Sequence, residues 1–168
     1  LYGVPPERYG LLFALNIVLM MVLTFANSRL VKHLGSDRLL KTGLILAAVA
    51  AMALLFFGIT GIGGLWGLVP AIMLLIAQIS LVGANSMAGL LSHFPESAGT
   101  ASALAGTVRF GLGALATFAV NASHALSALP MTLVMSLCAW LALASYWLLV
   151  RPALTAPAAL NTRLTPRL

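Results

Sequence analysis

Five apolar stretches, at 11–27, 42–60, 65–91, 97–122 and 129–150, occupy most of this 168-residue chain. Each is close to the roughly 20 residues with which a helix crosses about 30 Å of hydrocarbon. Backbone N–H and C=O groups in lipid must be satisfied within their own segment, so the stretches are read as helices. Charged residues make up only 7% of the chain, against about 25% in soluble domains. The expectation is an all-α membrane protein with five transmembrane helices within residues 1–151, followed by a Pro/Ala/Thr-rich tail at 152–168 without fixed structure.

The net charge of +6 is gathered at alternate junctions. Arg29, Lys32, Arg38 and Lys41 lie between the first two stretches, and Arg151, Arg163 and Arg167 follow the last. Only Arg8 falls on the other side, while Arg109 sits inside a stretch. This distribution argues against nucleic acid as a partner. It is the pattern of loops held on the cytoplasmic face, which puts residue 1 outside and the C-terminus inside. An N-terminus on the outer side needs an upstream segment to carry it across, so the chain reads as the C-terminal piece of a longer protein. Gly35 is the expected turn of the basic loop at 28–41, and the glycine cluster at 58–64 the turn on the opposite side. The third stretch is long enough to tilt, or to kink near Pro70.

Polar side chains are unevenly shared among the stretches. The first carries Asn16, Thr24 and Asn27; the third Gln78, Ser80, Asn85 and Ser86; the fourth Arg109, Thr117 and Asn121. The second has no strongly polar side chain between Gly43 and Ile59, and the fifth only Ser136, Cys138 and Ser145. Polar groups at membrane depth turn toward partners or a watery cavity. Spans one, three and four are therefore expected to line an interior pathway, with two and five facing lipid. Asn16, Gln78, Asn85 and Arg109 are the cavity candidates, although helix-to-helix hydrogen bonds explain Gln78 and Asn85 equally well.

Arg109 constrains function most. An arginine at the helix centre costs at least about 2.5–3.5 kcal/mol unless it finds water or a partner. Glu7, Asp37 and Glu96, the acidic residues of the chain, all fall in loops or at span ends. Arg109 therefore anchors an anionic substrate group, opposes a protonatable carboxylate elsewhere, or is held structurally by carbonyls. Around it, Gly99, Ser102, Gly106 and Gly113 recur at helical steps and form a stripe suited to close helix packing. Nothing points to an enzyme: there are no paired intramembrane acids and no Ser/His constellation. No cofactor or metal is implied, since His33, His93 and His124 lie at unrelated loop positions. Cys138, the only cysteine, has no disulfide partner and reads as a small apolar residue.

Two segments carry a resemblance. Ser28-Arg29-Leu30-Val31-Lys32-His33-Leu34-Gly35 is similar to the signature loop of the major facilitator superfamily, Gly-x-Leu-x-Asp-Arg-x-Gly. Leu30 and Gly35 match, Ser28 replaces the first glycine, and Lys32-His33 replace the Asp-Arg pair. The run from Phe94 to Gly111, with Tyr9-Gly10 to Asn16 and Asn27-Ser28-Arg29 upstream, resembles the bicyclomycin-resistance (Bcr/CflA) drug:proton antiporters. The resemblance implies spans eight to twelve of a twelve-span fold, with spans eight, ten and eleven bordering a central cavity. It also implies an inner-membrane transporter that exports hydrophobic, drug-like compounds in exchange for protons. Its N-terminal half, with the acidic residues expected to carry protons, would be missing from this chain. Arg29, Lys32 and Gly35 would then serve the cytoplasmic gate. A carrier of one metabolite, such as a sugar or amino acid, and a non-transport membrane assembly protein are the alternatives.

Overall fold

The computed structural model describes residues 6–123 and 127–152, with side chains from residue 10 onward. The expected tail beyond Pro152, Tyr2, the side chains of Glu7, Arg8 and Tyr9, and the turn at His124 lie outside the described residues. Helices α1 (Pro6–Leu34), α2 (Ser36–Thr60), α3 (Gly64–His93), α4 (Ala98–Ala122) and α5 (Leu129–Ser145) follow one another, and α5 continues as a π-helical turn over Tyr146–Val150. No strand occurs among the described residues, and all five helices are long and apolar enough to cross a membrane. This is a multi-pass membrane protein.

The helices overrun the apolar stretches, most of all at the basic loop. Residues 28–41 are helical except Gly35, where the chain reverses. Gly35 adopts φ 79° and ψ 157°, a region open essentially to glycine alone. The polar residues on either side need no loop, because a helix end projecting past the hydrocarbon can carry them in water. At the opposite end of the bundle Gly61 (φ 66°) and Gly63 (φ 76°) take left-handed conformations and close the α2–α3 turn. Pro70 lies within α3 without ending it.

α2 is the centre of the packed part. Leu39, Leu44, Ala47, Ala48, Ala50, Ala51 and Leu54 are all buried. Small side chains let its neighbours approach closely. A Cβ on Gly43 would stand 3.0 Å from Leu81 Cβ on α3, and one on Gly58 would stand 2.5 Å from Thr132 Oγ1 on α5. The expectation that span two faces lipid therefore needs restating: its most alanine-rich faces lie against α3 and α5. An apolar helix has no solvent preference between lipid tails and apolar neighbours, so packing geometry decides where it goes.

Polar contacts pin this core at several levels. Between α5 and α2, Ser136 Oγ donates to the Ala51 carbonyl (2.9 Å) and Tyr146 Oη to Asp37 Oδ1 (3.0 Å). Beside that last contact the Lys41 ammonium and the Arg151 guanidinium lie over the Trp147 ring, 5.2 and 4.4 Å from its centroid. Asn85 joins three helices: its Nδ2 donates to Asn27 Oδ1 (2.7 Å) and to the Leu81 carbonyl (2.7 Å), and its Oδ1 accepts from Ser36 Oγ (2.9 Å). Helix α4 stands apart, with no buried residue.

Gly58→Leu is expected to lower the stability of the purified protein by about 1–3 kcal/mol, because the new side chain must displace buried Thr132. Asn85→Leu should cost about 1–2 kcal/mol by orphaning Asn27 Oδ1, while Ser36 Oγ keeps the backbone carbonyl of residue 85 as acceptor. Unfolding in mixed micelles, followed by circular dichroism, measures both; wild-type midpoints would contradict the close α2–α5 and α1–α3 packing.

Candidate functional site

A cleft of about 850 Å³ opens between α3, α4 and α5, with Leu44 and Ala47 of α2 at its floor. Its walls are mostly apolar. The polar side chains that border it are Gln78 and Ser86 from α3, Arg109 from α4 and Cys138 from α5. A second, narrower groove of about 540 Å³ runs between α3 and α4 from Phe94 and Ser97 to Arg109. Arg109 thus stands where the two spaces meet.

The guanidinium lies beside a glycine of α3. Gly83 of α3 has no side chain, and a Cβ there would lie 3.8 Å from Arg109 Nη1. No hydrogen bond or ion pair joins Arg109 to any described residue. A fork of five N–H donors therefore faces an apolar space with its acceptors still to be supplied, which suits a carboxylate, another planar anion or a strong neutral acceptor.

The four cavity candidates separate in the structure. Gln78 and Arg109 border the same cleft. Asn85 is 3% exposed and spends its amide on Asn27, Leu81 and Ser36. Asn16 is not among the residues that border the cleft; its Oδ1 is buried and without a partner among the described residues. Most hydroxyls on these helices bond back to the preceding turn, as Thr24 does to the Met20 carbonyl and Thr117 to that of Gly113. Such groups are satisfied within their own helix and call for neither lumen nor partner.

The packing stripe on α4 has no close neighbour, and its Gly106 borders the cleft. Nothing lies within 4 Å of where a Cβ would stand on Gly99, Gly106 or Gly113. Ser102 Oγ donates to the carbonyls of Ala98 and Gly99. Of the residues assigned to the gate, Gly35 makes the α1–α2 turn, Arg29 lies over the Phe25 ring at 5.1 Å from its centroid, and Lys32 is exposed.

Two contributions were not foreseen. The Val134, Met135, Cys138 and Ala142 face of α5 forms a wall of the cleft, although span five was expected to face lipid. Counting polar residues cannot detect an apolar wall, and the face is not marked by any residue type. Gly83 lies beside the Arg109 head, a neighbour legible only once α3 and α4 are side by side.

No protein-family model and no solved structure matches the chain. It is 31% identical over 149 residues to a bicyclomycin resistance protein homolog of Haemophilus influenzae, a match that takes in 89% of this chain. The chain spans 37% of the length of that relative. Over most of its length the chain is thus similar to part of a bicyclomycin resistance protein homolog, in keeping with the Bcr/CflA resemblance of the Phe94–Gly111 run and with its five membrane-length helices.

Proposed function

We propose that the chain is the C-terminal portion, spans eight to twelve, of an inner-membrane transporter that exports hydrophobic compounds in exchange for protons. The observation that carries this reading is Arg109, a cation without a partner among the described residues, set between two apolar spaces. A relative named for bicyclomycin resistance supports drug-like cargo. A mostly apolar cleft fits such compounds better than a sugar, whose hydroxyls would each need a partner.

Helices α1 and α4 present large exposed apolar side chains, among them Phe13, Phe25, Phe110 and Phe118. In this reading the faces bearing Phe13, Phe25 and Phe118, together with Gly99, Ser102 and Gly113, pack against parts of the transporter outside this chain, while Gly106 and Phe110 border the cleft. The Gly35 end, with Arg29, Lys32, Arg38 and Lys41, is the cytoplasmic end. Transport would proceed by rocking of the two halves about the cleft, biased by protonation in the other half and by bound substrate.

In cells lacking the intact transporter, complementation with Arg109→Ala should weaken resistance to an exported compound. Loss of a charge-assisted hydrogen bond of about 1.5–3 kcal/mol predicts a fall of about 10- to 150-fold in apparent affinity. Arg109→Lys should be intermediate, because the charge stays but the planar fork goes. Drug susceptibility and transport in vesicles check both. Wild-type resistance from Arg109→Ala, together with impaired complex formation, would point to the assembly role instead.

A further inference from the structure

Among the described residues, two buried side-chain oxygens lack any hydrogen-bond partner: Asn16 Oδ1 and Gln78 Oε1. Both lie along one seam. Asn27 of α1 and Asn85 of α3 bond directly, which fixes the facing sides of these two helices. Asn16 precedes Asn27 by about three turns and Gln78 precedes Asn85 by about two, so each returns to the same side of its helix. At about 1.5 Å per residue their levels differ by roughly 6 Å, a gap that two amide side chains can share. The two helices are in register between them, where Ser80 Oγ donates to the Met20 carbonyl at 3.4 Å.

One end of the seam is closed by the Asn27–Asn85–Ser36 network, and the other ends in two carbonyl oxygens that only accept. Gln78 Nε2 is engaged with the Leu74 carbonyl at 3.4 Å, which leaves Oε1 as the free valence. Gln78 is 2% exposed, yet it borders the cleft that also holds Arg109. A turn about its own side-chain torsions presents Oε1 to a molecule in that cleft.

Resting on the transport reading, we propose that Asn16 and Gln78 form a subsite for an N–H or O–H donor of the bound compound, opposite the acceptor-binding guanidinium of Arg109. The cleft then selects amphipathic molecules that carry a donor at one edge and an anion or strong acceptor at another. An ordered water could supply the same donor chemistry, and it would leave the site indifferent to donors on the compound.

The test uses the purified full-length transporter in nanodiscs and two aryl carboxylates, one bearing a primary carboxamide and the other its N,N-dimethyl form. Binding is measured by calorimetry. The wild type should prefer the primary amide by about tenfold, since a buried acceptor left unmade weakens binding by that order. Gln78→Leu and, independently, Asn16→Leu should each bring the ratio toward one. Thermal unfolding shows which variant is folded, and either one suffices. A wild-type ratio near one overturns the subsite, as does absence of binding by both compounds or a preference that survives both leucine variants. Retained donor preference by a full-length protein that exports neither compound in vesicles would instead remove the transport reading and leave the subsite standing.

Discussion

Water is scarce at membrane depth, so every polar atom there must find its partner within the protein. The structure divides according to how that demand is met. Backbone groups are paired inside five helices. Serine and threonine hydroxyls mostly bond to the carbonyl three or four residues back, as Thr107 does to Ala103 and Ser145 to Ala142. Amides cannot close on themselves so completely, and they reach across helices: Asn85 binds α1, α2 and α3 together through Asn27, Ser36 and its own turn at Leu81. The atoms left over, on Asn16, Gln78 and Arg109, are the places where something other than the described residues must contribute.

Close packing sets where those leftovers fall. Lipid tails are as apolar as leucine, so helices gain by fitting together rather than by escaping solvent. Gly43, Gly58 and the alanines of α2 permit the tightest fit, and α3 and α5 settle against that helix. Leu54, Leu68 and Ala71 form the buried cluster on the α2–α3 side, with Phe57 and Met135 packed around it. Helix α4 has no comparable partner and leans on the rest lightly, which leaves the cleft open on its inner side and places Arg109 at its edge.

The fold was largely legible in the sequence, because hydrocarbon thickness translates directly into stretch length and charge marks the ends. Gly35 as a turn and the glycine cluster between α2 and α3 were equally legible, since few residues tolerate positive φ. Helix ends were less so: residues 28–41 look like a loop by composition, yet helix continues through them to Gly35 and resumes at Ser36. Hydrophobicity reports where lipid ends and says nothing about where hydrogen-bonded turns stop. For the site, Arg109 and Gln78 stood out as costly residues at membrane depth. Cys138 and the rest of the α5 wall did not, because an apolar surface against a cleft has the same composition as one against lipid.

Length, hydropathy and charge thus determined, without reference to any neighbour, that this chain makes five membrane-length helices, and the Phe94–Gly111 run pointed to its kinship. Only tertiary structure decided which polar residues are spent and which are spare. Asn85 and Gln78 share one face of α3 by their seven-residue spacing, and the sequence treats them alike. Asn85 meets Asn27 and Ser36 and is satisfied, while Gln78 keeps an unpaired oxygen beside the cleft. The difference lies in which atoms of other helices come within about 3 Å, and a hydrogen bond at that range is settled by packing rather than by residue type.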